Sequence, residues 1–252
     1  RINTLFDGLG EEGFRVLGIA WRDVALDHPH AVVSDESALI FAGFAAFLDP
    51  PKTSAGQAIQ AMAASGVAVK IVTGDNERVT RHVCAQLGVP IEGVLTGTEL
   101  AALNDDALRA RVESVNLFCR VNPAQKNRII LALKSRGHVV GYLGDGINDA
   151  AALAQADCGI AMGGGTDVAI EASDIVIVSA DVRRVADAIR LSRSTLGTIR
   201  GNLWWAFGYN ALAIPVAMLG IVGPAIAGLA MALSSIFVVL NSGRLALFRL
   251  RR

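Results

Sequence analysis

Gly144-Asp145-Gly146-Ile147-Asn148-Asp149 places two carboxylates four residues apart, between an apolar run, Val139 to Leu143, and a helix-like run, Ala150 to Ala156. Carboxylate oxygens at a strand's carboxyl end form a hard-oxygen site. Such a site suits Mg²⁺, which takes one or two protein carboxylates and fills its shell with phosphate oxygens and water. The flanking glycines let the backbone turn tightly and approach a phosphate closely. By itself the hexapeptide also reads as a plain strand-to-helix corner.

The elements that must carry this site alternate. Val67–Val72, Asn116–Val121, Val139–Leu143 and Ile175–Val178 are β-branched or apolar runs. Between them Ser54–Ser65, Glu77–Leu87, Ala124–Ser135 and Ala150–Ala156 have helical patterns. Such alternation predicts a parallel sheet covered by helices, with functional residues at the strands' carboxyl ends. Residues 1–47 read as a partial domain with a helix-like start and a strand from Arg15 to Trp21. Residues 48–181 are the α/β domain, 182–202 a basic helical connector and 203–252 two membrane helices.

Three further segments stand at strand ends or hinges: Thr73-Gly74-Asp75-Asn76, Arg120-Val121-Asn122-Pro123-Ala124-Gln125-Lys126, and Asp49-Pro50-Pro51-Lys52. With Gly144–Asp149, and in this order, they resemble the phosphorylation domain of the P-type cation-transporting ATPases, within the haloacid dehalogenase-like superfamily. The resemblance implies a Rossmann-like parallel sheet followed by a transmembrane α-helical hairpin. It implies Mg²⁺ and ATP as cofactor and substrate. Asp145 would hold Mg²⁺, with Asn148 and Asp149 in support. Lys126 would neutralise phosphate charge and Thr73 would hydrogen-bond a phosphate oxygen. Gly74, Asp75 and Arg120 would lie on the nucleotide side. The stretch Gly13 to Arg22 resembles the end of the family's nucleotide-binding domain, where Arg15 would touch ATP. Phosphoryl transfer needs positioning and charge neutralisation more than covalent chemistry, and these residue types supply it. Taken singly, Lys126 reads as a solvated helix-face charge and Thr73 as a helix cap; taken together they read as a site.

The family's Asp-Lys-Thr-Gly-Thr nucleophile segment does not occur in these residues, nor does its Thr-Gly-Glu-Ser loop. The chain therefore reads as a C-terminal fragment that would need the rest of the pump to form an aspartyl-phosphate.

The chain has 252 residues and no net charge, which offers nothing to nucleic acid. Cys84, Cys119 and Cys158 lack metal-ligand spacing and read as reduced, mostly buried thiols. His28 and His30 flank Pro29 in a loop, where a metal role is not expected. Leu203–Val222 and Ala225–Asn241 carry no charge, with Gly223-Pro224 as the turn. Arg193 and Arg200 precede the first run, and Arg244, Arg249, Arg251 and Arg252 follow the second. The positive-inside rule then makes both ends cytoplasmic, in a multi-pass protein of the plasma or inner membrane, with Trp204 and Trp205 in an interfacial belt.

Met231 and Ser235 share a helical face, and Tyr209 and Asn210 lie on the other helix. A thioether near hydroxyl and amide oxygens suits a soft monovalent ion such as Cu⁺; small residues and serine equally suit close helix packing. Phe207 to Pro215 and Met231 to Ser235 resemble the last two membrane helices of heavy-metal, copper-exporting members, which implies an ion site of Tyr209, Asn210, Met231 and Ser235. Residues from about 66 to 150 instead resemble the magnesium-transporting class, through Lys70 to Arg81 and Gly137 to Gly144. The wording changes class beside Gly144–Asp149, as in a hybrid. The reading favours Cu⁺ or Ag⁺ export. The alternatives are Mg²⁺ transport, an accessory membrane chain without activity, and a membrane-anchored phosphatase with its own nucleophile.

Overall fold

In the computed structural model, residues 2–24, 30, 32–48, 50–220 and 223–247 are described. Asp49 of the expected hinge, His28, and Phe248, Arg249, Arg251 and Arg252 lie outside them.

Helix α1 (Ile2–Glu11) leads into β1 (Arg15–Trp21), which pairs antiparallel with β2 (Ile40–Phe47). The Phe6, Phe41 and Phe44 rings close this small layer, with Phe41 edge-on to Phe44 at 4.9 Å between centroids. Next come α2 (Thr53–Ala64), β3 (Ile71–Val72), α3 (Glu77–Leu87), β4 (Val94–Thr96), α4 (Gly97–Ala102), α5 (Asp105–Arg111), β5 (Leu117–Cys119) and α6 (Pro123–Ser135). Then follow β6 (Gly141–Gly144), α7 (Ala150–Gln155), β7 (Cys158–Met162), α8 (Asp167–Glu171), β8 (Ile175–Ile177), α9 (Arg183–Met218) and α10 (Pro224–Gly243).

The α/β part holds two parallel three-stranded sheets, ordered β3-β5-β4 and β6-β7-β8. Among the described residues β3 and β6 each keep one edge without a ladder partner. Sequence capping explains the sharp starts of the helices. Asn76 caps α3, Thr96 and Glu99 form a reciprocal box on α4, and Asn122 with Gln125 does the same on α6 behind Pro123. Gly88, at φ +67°, ends α3 where a side chain would strain the backbone.

One core collects Leu95, Leu100, Leu108, Val112, Phe118 and Ile129 around the first sheet. A second joins Ala58 and Met62 of α2, Ile160 and Ile177 of the second sheet, and Val185 and Ala186 of α9. Cys84 and Cys119, distant in sequence, meet in a third cluster with Leu117. Burial raises the thiol of Cys119 to about 11. Both stay protonated, as expected for buried thiols.

Several short elements were not expected from sequence. β4 and β7 are runs of three and five residues whose apolar character does not stand out from the neighbouring helices. The Val67–Val72 run yields only Ile71–Val72 as strand, because only those two residues find a partner on β5.

α9 is one rod of 36 residues, so the basic connector and the first apolar run are a single helix. It ends at Met218, earlier than the expected turn at Gly223-Pro224. Gly220 takes φ +70° to reverse the chain, and Pro224 opens α10. α9 and α10 fold back on one another. Asn202 donates to Ser242 Oγ at 2.9 Å, Asn241 donates to Asn202 Oδ1 at 2.8 Å, and Trp205 stacks against Phe237 at 4.7 Å. Among the described residues one helical segment, Ala225–Leu247, is long and apolar enough to cross a membrane. The described part of α9 is not, because Asn202, Tyr209, Asn210 and Pro215 interrupt its apolar run.

Candidate active site

Two loops at the carboxyl ends of β3 and β6 carry most of the expected residues. After β3 the chain turns through Thr73, Gly74 and Asp75. Thr73 N donates to Phe118 O at 2.9 Å and Val121 N donates to Thr73 O at 3.0 Å, so its backbone is locked to the strand beside it. Its Oγ1 accepts from Asp75 N at 3.1 Å. Thr73 is not a helix cap; Asn76 does that work, accepting from Arg78 N at 2.7 Å. The Thr73 hydroxyl is thereby fixed at the strand end.

Lys126 lies on the first turn of α6, and its Nζ sits 2.7 Å from Asp149 Oδ1. Both side chains are largely buried, 13% and 14% exposed, so Lys126 is not a solvated surface charge. Tyr142 OH donates to the same oxygen at 2.7 Å, and Gly146 N approaches Oδ2 at 3.4 Å. Burial works to raise the Asp149 carboxyl. The Lys126 and Tyr142 hydrogen bonds outweigh it and hold the group below the ordinary aspartate value. Burial, then the Asp149 carboxylate, push the Tyr142 phenol up, so it stays a neutral donor.

Asp145 is exposed at the carboxyl end of β6. Its backbone is pinned, with Thr166 N donating to its carbonyl at 2.9 Å. Gly165 packs so closely that a Cβ there would lie 2.7 Å from that same carbonyl oxygen. The Asp145 carboxylate takes no hydrogen bond from the described residues and is open as an oxygen donor. Among the described residues no group of three or more His, Cys, Asp or Glu stands together. A site of one free carboxylate with a second, engaged one nearby fits Mg²⁺ that completes its shell with phosphate and water. Asn148 is exposed in the turn Ile147–Asp149, and its side chain has no hydrogen bond among the described residues.

The nucleotide-side residues gather elsewhere on the same edge. Arg15 Nε lies 3.8 Å from Asp75 Oδ1, with Arg15 largely exposed and Asp75 half-buried. Arg120 N donates to Asp75 O at 2.9 Å while Arg120 adopts φ +53°, uncommon for a residue with a side chain. Arg15, Gly74, Asp75 and Arg120 line a cavity of about 230 Å³, with Phe6 and Phe14 as its apolar wall.

The four residues expected to line an ion site are on the helical pair and are not joined by side-chain hydrogen bonds. Asn210 donates to Ala206 O at 2.9 Å and Ser235 to Met231 O at 3.1 Å, each within its own helix. Met231 and Ser235 both face outward from the pair, whereas Tyr209 is half-buried.

Sequence reasoning missed Tyr142, Gly165 and Thr166. Tyr142 looks like one more apolar strand residue, and nothing in spacing reveals that Thr166 reaches back twenty-one positions to Asp145. It also missed Asn127, whose Oδ1 is buried without a partner one residue from Lys126.

Comparison with known proteins places this geometry. The profile of the haloacid dehalogenase-like hydrolases matches residues 12–157, and a second profile of that description matches 128–189. A magnesium-transporting P-type ATPase of Salmonella typhimurium is 46% identical over 190 residues, covering 75% of this chain and 21% of that protein. A copper-exporting P-type ATPase of Staphylococcus haemolyticus is 42% identical over 208 residues, covering 82% of this chain and 23% of the other. The crystal structure of a zinc-transporting PIB-type ATPase in its E2·Pi state superposes with a TM-score of 0.70 at 27% identity, covering 97% of this chain and 33% of that one. The chain thus spans about a fifth to a quarter of the length of these curated relatives. Residues at the ends of β3 and β6, the matched profiles and the matched structure agree: the chain belongs to the haloacid dehalogenase-like hydrolases and, within them, to the P-type ATPases.

Proposed function

We propose that residues 1–252 form the C-terminal part of an ATP-driven metal-cation pump that works through an aspartyl-phosphate, with Cu⁺ or Ag⁺ as the exported ion. The observation that carries the catalytic part is the Lys126–Asp149 bridge. It ties the helix that follows β5 to the turn that follows β6, the turn that also carries the exposed Asp145 four residues earlier.

In this reading Asp145 holds Mg²⁺, and Asp149 and Asn148 support that edge. Mg²⁺, when bound, supplies charge neutralisation at the phosphate oxygens. Lys126 adds a second positive charge, and the Thr73 hydroxyl donates to a phosphoryl oxygen. Arg15, Gly74, Asp75 and Arg120 receive the nucleotide in the cavity they line. The nucleophilic aspartate comes from a segment outside residues 1–252. The open edges of β3 and β6 are where a strand carrying it would pair, between Thr73 and Asp145. The helical pair sits in the plasma or inner membrane with both ends cytoplasmic.

The ion rests on the membrane residues. Tyr209, Asn210, Met231 and Ser235 offer a thioether and neutral oxygens, and no Asp or Glu lies between Leu203 and Phe248. Such a donor set suits a soft monovalent cation. The Met231–Ser235 face of α10 is exposed and available to further helices. Mg²⁺ transport is the second reading, favoured by the 46% identity to the magnesium-transporting relative.

The test uses the complete protein. Asp145→Ala is expected to abolish phosphoenzyme from labelled ATP. Met231→Ala is expected to keep phosphorylation by inorganic phosphate and to weaken activation by Cu⁺. Transport of Mg²⁺ with indifference to Cu⁺ would overturn the choice of ion. Loss of both partial reactions in Met231→Ala would make that residue structural.

A further inference from the structure

A second cavity, of about 450 Å³, opens between α9 and the end of α10, far along the chain from the phosphoryl residues. Ser194, Gly197 and Thr198 line one side, and Asn241, Arg244 and Leu245 the other. Ser194, Gly197 and Thr198, spaced i, i+3, i+4, are one face of α9, while Asn241 is on the last turn of α10 and Arg244 and Leu245 are on the 3-10 turn Arg244–Leu247 that follows it. The Asn202 hydrogen bonds to Ser242 and Asn241 brace the two helices beside it.

We propose that this cavity binds the phosphate headgroup of an anionic phospholipid at the cytoplasmic boundary of the bilayer. The assignment rests on the membrane reading given above. Three observations carry it. The first is charge. From Ala188 to Arg252 the chain contains seven arginines and no Asp or Glu. Arg244 itself has no ion-pair partner among the described residues. An anion from outside the chain is what would neutralise it.

The second is hydrogen-bond capacity. Thr198 Oγ1 is already spent on Ser194 O at 3.1 Å, and one amide hydrogen of Asn241 on Asn202. The Ser194 hydroxyl, the other Asn241 amide hydrogen and the Arg244 guanidinium remain as donors on residues that line the one cavity. A phosphate accepts from all three.

The third is depth. The uncharged stretches of both helices begin within a few residues of the cavity, at Leu203 on α9 and before Asn241 on α10. Leu240 and Leu247, on either side of Arg244, are 66% and 79% exposed, giving acyl chains an apolar surface next to the headgroup. A soluble phosphate would have no use for that surface. Arginine pockets at the cytoplasmic ends of membrane helices are suited to such headgroups.

The experiment is native mass spectrometry of the complete detergent-solubilised protein titrated with phosphatidylglycerol or phosphatidylcholine. Phosphatidylglycerol is expected to bind in preference. Arg244→Gln is expected to weaken that binding about five- to tenfold, the loss of one arginine–phosphate contact near a membrane surface. Ser194→Ala, which spares the backbone carbonyl used by Thr198, is expected to weaken it in the same direction and carries the test if Arg244→Gln does not fold. Arg200→Gln, on α9 but outside the cavity, is expected to leave it unchanged. Wild-type binding in Arg244→Gln and Ser194→Ala, or an equal loss in Arg200→Gln, would overturn the site. Displacement of the lipid by millimolar inorganic phosphate would assign the cavity to a soluble anion instead. Release of the wild-type protein from membranes by alkaline carbonate would defeat the membrane reading itself, whereas retention with unselective binding defeats this site alone.

Discussion

Lys126 Nζ and Asp149 Oδ1, 2.7 Å apart, connect two sheets that share no strand pairing among the described residues. The lysine belongs to the helix after the first sheet's central strand, and the aspartate to the turn after the second sheet's edge. This ion pair joins two halves of the candidate site, and Lys134 of the same helix adds an ion pair to Asp157 at 2.9 Å and a hydrogen bond to Gln155 O at 3.0 Å.

Lys126→Ala is expected to leave Asp149 partly buried with one donor fewer. The cost should be about 1.5–3 kcal/mol, the range for a hydrogen bond to a charged group. Urea denaturation of the purified protein reads this as a lower midpoint. A change below about 0.5 kcal/mol would mean that Asp149 is held by its other contacts.

Tyr142→Phe keeps the ring and removes the hydroxyl that donates to Asp149 Oδ1. A loss of about 1–2 kcal/mol is expected, with Lys126 still in place. Because the phenol's pKa is raised, it remains a donor through neutral and moderately alkaline pH. The difference between Tyr142→Phe and wild type should therefore stay constant from about pH 6 to 9. A difference that disappears within that range would show a phenol that ionises, contrary to its burial.

Gly165→Ala tests whether the Asp145 backbone needs the close approach. Its Cβ would lie 2.7 Å from the Asp145 carbonyl oxygen and 3.0 Å from its Cα, so the Asp145 loop must move. Phosphoenzyme formation by the complete protein is expected to fall on the order of ten- to a hundredfold, as for a misplaced catalytic group. Gly164→Ala is the control, since nothing lies within 4 Å of a Cβ there. Equal activities in the two variants would show that the loop absorbs the shift.

Glu113 gives a pH signature. It receives Arg136 Nε at 3.1 Å and Nη2 at 3.0 Å, and His138 Nε2 lies 2.8 Å from its Oε1. The Arg136 hydrogen bonds, then His138, lower its carboxyl from 4.5 to about 2. The folded value lies below the unfolded one. Its contribution is therefore full above pH 4.5 and is lost as pH falls toward about 2. Wild type should exceed Glu113→Gln in Tm at pH 6, and the two should converge across that window. A Tm difference that persists at pH 2 would rule out the ion pairing as its source.

Much of the fold could be read from residue order. The alternation of apolar runs and helical patterns gave the right elements at the right places for α2, α3, α6 and α7; α3 and α6 start at side-chain caps, Asn76 and Asn122, whereas α2 follows Pro51 and α7 follows the Ile147–Asp149 turn without one. β4 and β7 escaped, since three to five apolar residues carry too little periodicity to separate strand from helix. The α9 rod escaped as well. Charge composition changes at Asn202, but helix propensity does not, and the backbone runs on through the change.

The sequence by itself determined the chemistry available: a threonine, a lysine and two aspartates at strand ends, with apolar helices flanked by arginines behind them. Side-chain type and its local turn are written residue by residue, so they need no fold to be seen. The tertiary structure decided which of these groups meet. It paired Lys126 with Asp149, gave Tyr142 a place on the same oxygen, left the Asp145 carboxylate open, and set Arg244 across a cavity from Ser194. Those pairings join residues twenty or more positions apart through packed sheets and helices, or reach through a strand face. No local rule of spacing specifies them, because the distance between two loops is fixed by everything packed beneath them.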